Sequence, residues 1–80
     1  MKRIVWTGPG KADVRRLDKP TAMRIFAALH RFAETGEGDV RALQGRDELR
    51  LRIADYRPFF VATAAAIEVR RVLHRSEAYR

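Results

Sequence analysis

The chain contains no cysteine, which excludes disulfides, thiolate nucleophiles and cysteine-ligated metals. No apolar run approaches the roughly 20 residues of a membrane-spanning helix. The opening Met1-Lys2-Arg3-Ile4-Val5-Trp6 is too short for a secretion signal before it meets Gly8-Pro9-Gly10. That glycine-proline segment lacks the spacing and the lysine of a phosphate-binding loop. No histidine and acidic residue pair falls at metal-ligand spacing. Internal repeats and low-complexity tracts are missing as well. The expectation is a cytoplasmic protein with no metal, no cofactor and no membrane partner. Acidic residues are also in the minority, ten against seventeen lysines and arginines, for a net charge of +7.

The composition allows one small domain over residues 1–80, with a thin core drawn from the 46% of residues that are hydrophobic. Lysine is confined to Lys2, Lys11 and Lys19, and from Arg41 onward arginine takes its place. Arginine presents a planar fork of donors that matches a phosphate, and it stays charged when partly desolvated. The balance suits a polyanion such as RNA, DNA or an acidic protein segment. On charge alone, a solvated arginine-rich surface explains it equally well.

Ile4-Val5-Trp6 is a short β-favouring run, and Thr7-Gly8-Pro9-Gly10 stops it. Lys11 to Leu17 reads as a short helix. Pro20 marks the first turn of a second helix. From Thr21 to Glu34, Ala22, Ile25, Phe26, Leu29, Phe32 and Ala33 recur at spacings of three and four on one face. Gly36 fits the C-cap. Val40 to Leu43 leads into a turn at Gln44-Gly45. The period then becomes two, with Leu49, Leu51 and Ile53 facing one way and Glu48, Arg50 and Arg52 the other. Ala54-Asp55 makes a tight turn into a strand from Tyr56 to Val61, where Pro58 needs an edge, a bulge or an unpaired position. Ala62 to Ala66 turns the chain again.

In the last strand, Ile67 and Val69 point inward, and strict alternation would then bury Arg71 and expose Val72. One extra residue at Arg70-Arg71 restores the phase, which predicts a β-bulge there. The fold class is α+β: a small antiparallel sheet in the order β-α-α-β-β-β, with two N-terminal helices packed on one face. The core would take Trp6, Phe59 or Phe60, Ile67, Val69 and Val72. The other face would carry Arg50, Arg52 and Arg57. Arg70, Arg71 and Arg80 join Arg52 as candidate nucleic-acid-binding cations.

Leu43-Gln44-Gly45, Leu49-Arg50-Leu51-Arg52-Ile53-Ala54-Asp55-Tyr56-Arg57, His74-Arg75 and Tyr79-Arg80 together resemble the RelE/ParE toxins of bacterial type II toxin–antitoxin pairs. The resemblance covers essentially the whole chain. It implies a cytoplasmic toxin held in a hetero-oligomer by a cognate antitoxin. RelE-like members are ribosome-dependent endoribonucleases that cut mRNA. ParE-like members share the fold and inhibit DNA gyrase.

Under the first reading, the resemblance assigns Arg57 to the scissile phosphate and Arg75 to phosphate or leaving-group contact. Tyr79 takes proton transfer or base stacking, and Arg50 helps activate the nucleophile. Glu48 stands where some RelE toxins place a lysine. Relatives with fewer lysines use an acidic residue and a histidine as base and acid. Here that implies Glu48, Glu37 or Asp39 for the carboxylate and His74 for the imidazole.

Overall fold

The computed structural model describes residues 1–78. Among them the chain forms β1 (Arg3–Trp6), α1 (Gly8–Arg15), α2 (Lys19–Thr35), β2 (Val40–Ala42), β3 (Leu49–Leu51), β4 (Tyr56–Ala62), β5 (Ala66–His74) and a final turn of helix, α3 (Arg75–Ala78). The α+β class is as expected. The sheet has five strands in the order β1-β5-β4-β3-β2. It is antiparallel except for β1, which runs parallel to β5. The additional strand is Val40–Ala42, which pairs with β3 where the sequence suggests only a lead into a turn.

Helix α2 begins where Asp18 accepts a hydrogen bond from the Thr21 N–H at 3.1 Å, with Pro20 in the first turn. It ends at Gly36, whose φ of 78° lets its N–H reach the Phe32 carbonyl at 2.8 Å. Between the caps, Ile25, Leu29 and Ala33 are buried against Leu51, Ile53, Phe60, Ile67, Val69 and Val72. Phe32 packs edge-on against Phe60, with ring centroids 5.2 Å apart. Phe26 falls at the margin of the stripe, 37% exposed, and meets Trp6 edge-on at 5.6 Å.

Helix α1 starts earlier than the Lys11–Leu17 expectation, because Thr7 caps it and proline is tolerated in its first turn. The Thr7 hydroxyl accepts from the Gly10 N–H at 3.1 Å. A Cβ at Gly10 would sit 2.6 Å from the Val69 carbonyl oxygen, so only glycine lets α1 approach β5 this closely. β1 ends at Trp6 while β5 continues to His74, and α1 covers the stretch of β5 edge that β1 leaves behind. Thr7 N–H donates to Val69 O at 3.0 Å, and Asp13 accepts from the Val72 N–H at 2.8 Å. An open strand edge is thereby satisfied by side chains and backbone of a helix rather than by another strand.

The predicted bulge is present. Phe60 pairs with Val69 and Phe59 with Arg71, so Arg70 is the extra residue. Val72 then turns inward and is buried. Pro58 sits in the β3–β4 ladder between the Arg50–Phe59 pair and the isolated Ile53–Tyr56 bridge, where no N–H is required. No glycine assists the β4–β5 turn. Thr63 takes that role, its hydroxyl accepting from Ala65 N–H at 3.3 Å and Ala66 N–H at 3.0 Å.

Candidate functional site

The pleat and the bulge together decide which side chains share the face that α2 leaves open. Phe60 and Val69 point into the core, so Phe59 and its cross-strand neighbours point out. Arg50 lies opposite Phe59 on β3, and Arg41 lies opposite Arg50 on β2. The bulge sets both Arg70 and Arg71 on this face, opposite Phe59, because Val69 and Val72 on either side are buried. Glu48 precedes Arg50 by two residues and shares its face.

Charges are matched within this face. Arg70 donates to Glu68 at 2.9 Å and lies 3.6 Å from Glu48, which is also 3.8 Å from Arg46. Arg71 grips Asp13 with two donors, at 2.7 and 3.2 Å. Burial raises the Asp13 carboxyl, but the bonds from Arg71 and the Val72 N–H, with the charges of Arg71 and Arg16, hold it below the usual carboxylate range. Arg57 is buried, 4% exposed. Its guanidinium donates to Ala54 O and Tyr56 O, both at 2.8 Å.

Those two bonds brace the turn at Ala54-Asp55, closed by reciprocal Ile53–Tyr56 backbone bonds of 3.1 and 2.9 Å. Ala54 holds a φ of 52°, a left-handed conformation that costs an alanine about 1 kcal/mol relative to glycine. Ala54→Gly is therefore expected to stabilise the chain by up to about 1 kcal/mol, read as a rise in urea midpoint with an unchanged slope.

The expected cluster is only partly assembled. Arg50, Arg57, Arg70, Arg71 and Glu48 lie on or along the open face. His74 does not. It pairs across β4 with Tyr56, ring centroids 5.3 Å apart at 90°, and the adjacent Arg57–Leu73 pair takes the opposite face. The Ser76 N–H donates to His74 Nδ1 at 3.2 Å. Arg75 is exposed, 3.8 Å from Asp55, and its N–H donates to Asp55 O at 2.7 Å.

Arg52 lies beyond the end of β3 and lines a cleft of about 470 Å³ beside α2, together with Glu37 and Asp39. Arg52 therefore leaves the face predicted for it, and neither Glu37 nor Asp39 reaches Arg50. Glu37 is bound to Arg31. Tyr79 and Arg80 lie outside the described residues. Asp13, Arg41 and Phe59 carry no signal in the sequence alone, since each becomes part of the site only through strand register. Among the described residues no helix is long and apolar enough to cross a membrane, and no group of three or more acidic and histidine residues is placed to hold a metal ion.

Comparison with known proteins agrees with this fold. Residues 4–79 match the family described as ParE toxin of type II toxin–antitoxin system, parDE. The chain belongs to this family, and is a toxin of the RelE/ParE superfamily.

Solved structures share the fold at low identity. The RelB–RelE antitoxin–toxin complex from Methanococcus jannaschii aligns at 20% identity with a TM-score of 0.76, covering 94% of each chain. The RelE–RelB complex from Pyrococcus horikoshii aligns at 19% identity and TM-score 0.78, covering 92% of this chain and 94% of that one. The DinJ–YafQ complex of E. coli aligns over 100% of both chains at 11% identity and TM-score 0.75. No curated protein matches the chain.

Proposed function

We propose that this toxin cuts mRNA on the ribosome, by attack of a ribose 2′-OH on the adjacent phosphorus. The observation that carries this reading is the open face itself, where Arg41 and Arg50 stand opposite each other and Glu48, two residues before Arg50, lies 3.6 Å from Arg70. Arginine forks hold the scissile phosphate and stabilise its extra negative charge in the transition state. Glu48 accepts the 2′-OH proton as O2′ bonds to phosphorus. The P–O5′ bond breaks, and the leaving O5′ takes a proton from the Tyr79 hydroxyl, the group the family resemblance assigns to proton transfer, while Arg75 contacts the leaving group. The products are a 2′,3′-cyclic phosphate and a 5′-OH, and the reaction requires no metal or cofactor. Such a toxin works in the cytoplasm, where its ribosome and mRNA are.

A second reading is favoured by the state of the same residues. Arg57 spends two donors on backbone carbonyls, and His74 faces away. A toxin that inhibits DNA gyrase by protein contact needs neither group for chemistry. The two readings separate in a cell-free translation reaction. New mRNA 5′ ends that depend on ribosomes support cleavage, whereas intact mRNA beside DNA breaks in arrested cells supports gyrase.

Under either reading the partner is a cognate antitoxin in a hetero-oligomer. Its acidic and apolar segment fits the edge of β1, where Met1, Ile4, Trp6, Phe26 and Leu29 line a cleft of about 410 Å³ bordered by Arg3 and His30. Antitoxin at 100 times its dissociation constant is expected to add about 2.7 kcal/mol of stability. A melting scan of the complex with no upward shift contradicts this placement.

A further inference from the structure

Register places one row of side chains straight across the open face: Arg41 on β2, Arg50 on β3, Phe59 on β4 and Arg71 on β5. At about 4.8 Å between strands the row is about 14 Å long. Phe59 is half-buried and has an arginine opposite it on each flanking strand, while the next residue, Phe60, supplies the core aromatic. Phe60 fills the core, and Phe59 stands on the other face between cations. It offers what a single-stranded nucleic acid requires: a flat apolar surface for a base, with forked cations on both sides for the flanking phosphates. Duplex is a poor fit, because its bases are already stacked.

We infer that Phe59 is a stacking platform for one unpaired base of RNA, and that Arg41 and Arg71 extend the phosphate track beyond Arg50. This rests on the RNA reading of the open face and adds a base-contacting residue to it. Asp13 fixes the direction of Arg71 through both carboxylate oxygens, so that end of the track is held in place before RNA arrives. Arg41 is exposed, at the other edge of the sheet.

The test uses the whole chain and a fluorescein-labelled, mixed-sequence single-stranded oligoribonucleotide with 2′-O-methyl sugars. The methyl groups block cleavage and leave binding. Phe59→Leu is expected to weaken binding by about 5- to 150-fold, with the salt slope unchanged. Arg41→Ala is expected to reduce the slope of log K against log salt by about 0.7, the share of one phosphate. Phe59→Trp is expected to restore binding and to add emission, quenched by the oligonucleotide, over the background from Trp6.

Wild type that does not bind the probe overturns the inference. So does Phe59→Leu with wild-type affinity, or a Phe59→Trp protein whose added emission ignores the RNA. A toxin that binds the probe through Phe59 yet leaves mRNA intact keeps the inference and loses the cleavage reading. A toxin that cuts mRNA with Phe59→Leu at full affinity does the reverse.

Discussion

Replacement of Asp13 by alanine is expected to lower the unfolding free energy by on the order of 3 kcal/mol. The carboxylate is 8% exposed and ties together three parts of the fold: α1, the bulge of β5 and the open face. Its loss strands the Val72 N–H in the interior, which costs about 1–3 kcal/mol. It also removes the charged partner that Arg71 grips at two points. Asp13→Asn keeps an acceptor for Val72 and gives up the charge, so its loss is smaller. For a chain of this size the alanine variant should melt on the order of 10–20 °C lower.

The pH dependence has a definite sign. The folded carboxyl titrates below its ordinary value, so its contribution is complete above about pH 4, the unfolded range. It is lost as pH falls through the lower, folded value. Urea melts at a series of pH values should show the gap between wild type and Asp13→Ala narrowing below pH ~4. A gap that stays constant to low pH would mean that the carboxylate charge contributes nothing.

The second large effect is on activity. Arg50→Ala is expected to reduce mRNA cleavage by about 100- to 1,000-fold, the usual loss when one donor to a developing oxyanion is removed. Arg50 is the informative position because it lies on an outward-facing strand site opposite Phe59, away from the buried core. Arg57→Ala is expected to abolish toxicity too, but it also strips the two bonds that brace the Ala54 turn. A destabilised turn would produce the same loss without any contact to RNA. Arg50→Ala with an unchanged melting temperature and absent cleavage separates the two causes. His74→Ala provides the contrast: a residue on the other side of β5 should leave the cleavage step far less affected than Arg50→Ala.

Much of this architecture was legible from spacing. The α2 stripe, its two caps and the inward run of Leu49, Leu51 and Ile53 follow from periodicity, and each is a local property of the chain. The bulge at Arg70-Arg71 was legible for the same reason, since burying Val72 and exposing Arg71 cannot both follow from strict alternation. What stayed hidden depends on partners distant in sequence. Nothing in Ile4-Val5-Trp6 names β5 as its neighbour or fixes a parallel direction. The three residues of β2 are too few to display a period.

Asp13 reads as one more polar residue on a short helix, and its value comes from a contact 59 residues away. Phe59 and Phe60 are adjacent phenylalanines whose roles part only when the phase of β4 is known. His74 was misplaced because a sequence motif groups residues by distance along the chain, whereas a pleat sends neighbours to opposite faces.

The most direct test of the central claim is a cell-free translation reaction with purified toxin, read by primer extension of the mRNA. New 5′ ends that require ribosomes, appear with wild type and vanish with Arg50→Ala are the predicted result. Intact mRNA from a toxin that still arrests growing cells would contradict it, and would move the open face from RNA chemistry to protein binding.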